Sequence, residues 1–275
     1  MDVEEIKNIP DTIREENEED KIIQLCEVEE VKLAKPISTG FGGLDDKIIG
    51  GLRGGDLMVL SGKSGSGKTH LTLQMMKEFS DRKQPTLLFT YEERPERIKW
   101  RMQQMGVDVN ESFLAFLPQA NSKNTVEWIE NKILDGLHNY LIKIIVIDNL
   151  DFITAEKQNS TDDKWSMQSR IMGMLKRIAN EHNITIILNA HIGKNRDGKD
   201  LKMEDLYGSG DVYKLADFVL FIQQEVADTV FDDDGSGEVK EEFKAKLILE
   251  KNRLTGKKGT IYVKSEGGLY VETTH

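Results

Sequence analysis

From Ile37 to the C-terminus the chain alternates between short apolar runs and longer stretches of mixed polarity. The runs are Leu57–Leu60, Leu87–Tyr91, Ile144–Asp148, Thr185–Ala190, Phe218–Ile222, Ala245–Glu250 and Thr260–Val263. They are rich in Ile, Val and Leu and end at glycine or polar residues, as strands buried on both faces do. Between them, His70–Arg82, Pro95–Met105, Thr125–Leu137 and Lys164–His182 read as helices. This alternation predicts an α/β fold whose mainly parallel sheet has helices on both faces. Asn252–Gly259 joins the last two runs and holds Gly256 and Gly259, which predicts a C-terminal β-hairpin.

Residues 1–36 read as a separate acidic arm. One helix over 20–31 is expected there, with Ile22, Ile23, Leu25, Cys26 and Val28 as its apolar content, ending before Pro36. A second acidic stretch, 225–242, contains Asp232-Asp233-Asp234-Gly235-Ser236-Gly237 and reads as an exposed loop. The formal net charge is −11, and each of these two segments carries −7, so the remainder is about +3. A mildly basic body can meet phosphates despite the acidic total. The length of 275 residues suits one large domain, 37–275, preceded by the arm. Cys26 is the one cysteine and has no internal partner, which fits a reducing compartment. No apolar run reaches the roughly 18–20 residues of a membrane helix. MDVEEIKNIP also lacks the apolar stretch of a secretory signal. A cytoplasmic protein without a membrane partner is expected.

The sharpest chemical signal is Gly62-Lys63-Ser64-Gly65-Ser66-Gly67-Lys68-Thr69, which fills every fixed position of G-x-x-x-x-G-K-[ST]. A strand precedes it and a helix follows, as a phosphate loop requires. Glycines let backbone N–H groups wrap a polyphosphate, and the helix points its positive end at the same anion. Lys68 is placed to reach the β- and γ-phosphates, and the Thr69 hydroxyl to coordinate Mg2+. The bland alternative is a glycine-rich turn with a chance Gly-Lys-Thr.

Ile144–Asp148 is an apolar strand ending in an acid, so Asp148 is the candidate Walker B carboxylate for Mg2+. A turn cap is the plainer role. Between the two motifs, Leu87–Tyr91 runs into Glu92-Glu93. Glu92 is the candidate base for the attacking water, with Glu93 as second choice. The competing reading is a surface Glu pair that opens the next helix. An extra strand between the motifs separates RecA-like ATPases from kinase-type phosphate loops. Asp151 reads as structural.

Further residues carry a resemblance. Ser38-Thr39-Gly40-Phe41, Leu44-Asp45, Gly50-Gly51-Leu52 and Gly54-Gly55-Asp56-Leu57 lead into the phosphate loop. Asn189-Ala190-His191, Asp205-Leu206-Tyr207-Gly208-Ser209-Gly210, Leu215-Ala216-Asp217 and Lys251-Asn252-Arg253-Leu254-Thr255-Gly256 follow. The series is similar to the RecA-like C-terminal helicase domain of the DnaB family, of Twinkle and of bacteriophage hexameric primase-helicases, over residues 37–272. The resemblance implies a homohexameric ring that hydrolyses ATP with Mg2+ at subunit interfaces and moves along single-stranded DNA at a replication fork. His191 is then the γ-phosphate sensor and Arg253 the finger for the neighbour's nucleotide, with Lys251 beside it. Lys194, Arg196 and Lys199 fall in a loop after His191, and Ser209 and Gly210 in the next motif; both are implied to face the DNA. Glu156–Lys164 is a candidate first channel loop, and Tyr270 a candidate nucleobase contact. The arm is too short for a primase domain, so a primase or loader is expected in trans, in a virus- or mobile-element-type replisome.

For the charged and polar residues the plain readings are solvated hairpin charges, an ordinary strand-end histidine and an exposed basic turn. Two other function classes stay open on the sequence: a RecA/RadA-type recombinase or mediator that forms filaments on single-stranded DNA, and a KaiC-like regulatory ATPase indifferent to DNA.

Overall fold

A computed structural model describes residues 24–27, 35–119, 123–155, 164–192, 200–202, 205, 214–225 and 244–273. The chain divides into two compact units, Met1–Ala34 and Lys35–His275. Within the first, Leu25–Glu27 forms a single 3-10 turn rather than the expected α-helical turn, and Leu25 is 89% exposed. The rest of the helix expected over 20–31 lies outside the described residues, apart from Gln24.

The second unit is built on one sheet. Its strands are β1 (Leu57–Gly62), β2 (Thr86–Thr90), β3 (Ala115–Phe116), β4 (Ile144–Asp148), β5 (Thr185–His191), β6 (Phe218–Gln224), β7 (Lys244–Asn252), β8 (Gly259–Glu266) and β9 (Leu269–Thr273). The order across the sheet is β3-β2-β4-β5-β1-β6-β7-β8-β9. The segment from β3 to β6 is parallel, and β6 to β9 is antiparallel. The expected hairpin is therefore two strands of a four-stranded antiparallel meander, β6 to β9. Sequence patterning missed β9 because its outer positions are exposed, and β3 because it is two residues long.

Side chains alternate between faces along each strand, which splits the core in two. On one face Val59, Phe89, Ile145, Ile147, Ile186 and Leu188 pack against Ile129 and Ile133 of α4 (Val126–Tyr140) and Leu175 and Ile178 of α5 (Lys164–Glu181). On the other, Met58, Leu60, Leu88, Val146 and Ile187 meet α1 (Gly42–Lys47), α2 (Lys68–Asp81) and α3 (Pro95–Gln104). Local chemistry sets the helix starts. Thr125 caps α4 by accepting a hydrogen bond from the Trp128 N–H, and Pro95 opens α3 after an extended Arg94. The short α1 was not expected; the glycines around it hide its periodicity. Among the described residues no helix is long and apolar enough to cross a membrane.

Candidate active site

Parallel strands carry their C-terminal ends to one edge, and that edge holds the predicted chemistry. In register, Gly62 lies beside His191 across β1 and β5, and Thr90 beside Asp148 across β2 and β4. The 62–69 loop, Asp148, the Glu92 turn and His191 thus converge at the same strand ends.

The loop itself is tightly built. A Cβ at Gly62 would stand 2.4 Å from the Ile222 carbonyl oxygen and 2.6 Å from Ser66 Oγ, so only glycine fits. Gly67 has φ +98°, and a Cβ there would stand 2.1 Å from Tyr270 Oη. Lys68 Nζ lies inside the loop and donates to the carbonyl oxygens of Gly62 and Lys63, each at 3.0 Å. Burial pulls the Lys68 pKa down, against the charges of Asp148, Glu92 and Asp151. Ser66 Oγ is buried and accepts or donates no hydrogen bond.

Thr69 Oγ1 donates to Asp148 Oδ2 at 2.8 Å, which brings the two candidate Mg2+ ligands into contact. Asp148 is buried, and burial raises its pKa; Thr69 and the Asn189 amide act against that rise. Asp148 Oδ1 and Asn189 Nδ2 nonetheless have no hydrogen bond of normal geometry, so the amide eases the charge without satisfying it. A hydroxyl, a carboxylate with one unsatisfied oxygen and a cradle that excludes Cβ atoms suit a hard divalent cation and a polyphosphate. These residues fit Mg2+ and a nucleoside triphosphate.

Past β2, Glu92 and Glu93 part company. Glu93 is 15% exposed and is held by Arg101, with Oε1 2.8 Å from NH2 and Oε2 2.9 Å from Nε. It is committed to α3. Glu92 is 43% exposed and faces the site. Asn149 Nδ2 donates to Glu92 Oε2 at 2.8 Å and stands 3.0 Å from His191 Nε2. An amide nitrogen has two protons to give, so it can donate to both Glu92 and an unprotonated His191 Nε2. Asn149 Oδ1 in turn accepts from the Asp151 N–H. Sequence reasoning missed Asn149, though a polar residue directly after a Walker B acid at a strand end was the available signal. Asp151 accepts from Gln168 at 3.2 Å, which ties α5 to the turn after β4.

Tyr270 is not open to a nucleobase. It is 7% exposed, with its ring edge-on to His70 at 4.8 Å and its backbone bonded in both directions to the Gln74 amide. Burial pushes its phenol up to about 12.

Lys251 and Arg253 lie at the other end of the sheet. Asn252 pairs with Phe218, which pairs with Met58 near the start of β1. Four residues at roughly 3.3 Å each separate that level from Gly62, or about 13 Å. Arg253 is 52% exposed there. Beside it Asp56 is pushed up to about 6 by burial first and then by the neighbouring Asp217. Lys194, Arg196, Lys199, Ser209, Gly210 and residues 156–163 lie outside the described residues, as does 226–242 of the acidic insertion.

A family model described as an AAA domain matches residues 45–197. The replicative DNA helicase DnaB of Mycoplasma pneumoniae is 27% identical over 252 residues, covering 80% of this chain and 53% of that protein. The DNA repair protein RadA of Rickettsia typhi is 27% identical over 199 residues, covering 72% of this chain and 40% of that one. The chain thus spans about half the length of the DnaB relatives it matches. Among solved structures, the ATPase domain of G40P superimposes with a TM-score of 0.70 at 20% identity, covering 88% of this chain and 93% of that one. A DnaB-like replicative helicase, solved in a study of its interactions with primase, gives 0.69 at 20% identity, covering 86% and 61%. The chain belongs to the AAA-domain family and has the RecA-like fold of DnaB-type helicase ATPase domains.

Proposed function

We propose that this chain is the motor of a replicative DNA helicase: an ATPase that assembles head to tail into a ring and moves along single-stranded DNA. The observation that carries this reading is the array of Thr69, Asp148, Glu92, Asn149 and His191 around one phosphate loop. When bound, Mg2+ neutralises charge on the β- and γ-phosphates. The backbone of 62–69 and Lys68 bind and orient the triphosphate. Glu92 Oε2, held by Asn149, accepts the proton of the attacking water. His191, linked to Glu92 through the same amide, carries the site's state into the loop that follows it. Lys194, Arg196 and Lys199 in that loop, with Ser209 and Gly210, contact DNA phosphates, which positions a strand without reading its sequence. Arg253, with Lys251, stabilises the transition state of the neighbouring copy's nucleotide, since its own site is out of reach. A finger in trans is worth roughly 10³–10⁵ in rate. A primase or loader binds in trans.

Similarity to RadA supports the filament-forming alternative, but over a shorter stretch of the chain than the similarity to DnaB. The test is ATP turnover with and without single-stranded DNA across protein concentrations, followed by strand displacement on a forked duplex. The motor reading expects DNA-stimulated turnover, a sigmoidal rise in specific activity and displacement. Turnover indifferent to DNA and to concentration overturns it; stimulation without displacement favours the recombinase.

A further inference from the structure

Asp217, at the entry to β6, gathers more polar contacts than any role so far assigned requires. Its Oδ2 accepts from the Leu57 N–H at 2.9 Å and from Lys176 Nζ at 2.5 Å. Its Oδ1 lies 3.4 Å from Arg253 NH1. Its backbone carbonyl accepts from the Arg253 N–H at 2.9 Å, and its own N–H donates to the Leu57 carbonyl at 2.8 Å. Lys176 on α5 also donates to the Gly55 carbonyl at 2.7 Å. The carboxylate is 10% exposed and is held by two donors, the Leu57 N–H and Lys176, before it meets the guanidinium.

The need for it follows from charge. Arg253, Lys251 and Lys176 stand together, and Lys251 is driven down in pKa by burial first and by Arg253 next. Without an anion among them, the exposed member, Arg253, is the one free to swing away. Its other anchor is the Lys214 carbonyl, which accepts from Arg253 NH2 at 2.7 Å and from Lys251 Nζ at 3.2 Å. A carbonyl alone leaves the guanidinium a choice of rotamers; a carboxylate at its second edge removes it.

We propose that Asp217, oriented by Lys176 and the Leu57 N–H, is the positioning residue that holds the Arg253 guanidinium ready for the nucleotide of an adjacent copy. This rests on the trans-finger reading above. The effect is on geometry, where a displacement of about 1 Å can lower a rate roughly 10²-fold.

The test is Asp217→Asn, whose amide keeps an acceptor for Leu57 but turns a donor toward Arg253 or Lys176. Turnover is expected to fall about 10–100-fold with the Kd for a fluorescent ATP analogue unchanged. Subunit mixing then separates the causes. Arg253→Ala mixed with Glu92→Gln regains turnover if the finger acts in trans, and no regain there refutes the underlying reading rather than Asp217's part in it. Given that regain, Asp217→Asn is expected to be rescued by Glu92→Gln, which brings an intact finger, and not by Arg253→Ala. Rescue by Arg253→Ala instead would mean that Asp217 acts through β1 on its own phosphate loop, and overturns the proposal. Rescue by neither, with nucleotide binding intact, overturns it too. Should Asp217→Asn lose nucleotide binding, Lys176→Met, which frees the same carboxylate, is put through the same mixing and decides by the same outcomes.

Discussion

Asn149, a side chain with no exposed surface, donates to Glu92 Oε2 at 2.8 Å and so fixes a carboxylate that is otherwise open to solvent. Asn149→Ala removes the support and leaves Glu92 its full rotamer freedom. Turnover is expected to fall roughly 10²-fold, with ATP affinity within a factor of about two. A variant with wild-type turnover would show that Glu92 needs no support.

The two adjacent glutamates should separate cleanly. Glu92→Gln is expected to bind nucleotide and stop turnover. Glu93→Gln is expected to keep turnover and lose about 1–2 kcal/mol of stability, because Arg101 loses its charged acceptor. Steady-state turnover and urea denaturation of both variants check this; a turnover defect in Glu93→Gln would reverse the assignment.

Gly67 and Tyr270 should be coupled. Gly67→Ala meets Tyr270 Oη and keeps a φ that suits only glycine. It is expected to abolish nucleotide binding and lower the melting temperature. Adding Tyr270→Phe removes the oxygen at 2.1 Å, leaving Cζ at 3.3 Å, so part of the melting temperature should return while the backbone strain remains. Strictly additive effects in the double variant would refute the contact.

Asp56 predicts an inverted pH dependence. Its folded pKa, about 6, lies above the ordinary 3.8. The folded state therefore binds the proton more tightly, and stability from this group falls as pH rises from about 4 to 6 and stays low above that. Asp56→Asn keeps an acceptor for the Arg53 N–H and carries no charge. It is expected to stabilise the protein by about 1–3 kcal/mol at pH 7.5 and to do little at pH 4. Equal effects at both pH values in urea denaturation would count against it.

Much of this architecture is legible in the residues. Leu57–Leu60 and Ile144–Asp148 are apolar at every position that faces either core, so their strands are unmistakable, and the phosphate loop has few other uses. What distinguishes Glu93 from Glu92, the Arg101 fork, is a tertiary contact eight residues on. Asn149 and Asp217 are different in kind. Each is a single polar residue whose role depends on which strands lie side by side, and strand order is not written in periodicity. Ala115–Phe116 and Leu269–Thr273 are too short or too exposed to stand out, yet the second brings Tyr270 against the phosphate loop.

The Arg253 corner and the phosphate loop occupy opposite ends of one sheet. On the proposed function, in which Arg253 serves a neighbouring copy, such a subunit has a giving end and a receiving end, and contacts between copies are heterologous. An open string of such copies always has one bare site at one terminus and one idle arginine at the other. A closed assembly has neither. Closure of the proposed ring would therefore add a working site without adding a subunit, and opening it at a single seam would take one site away.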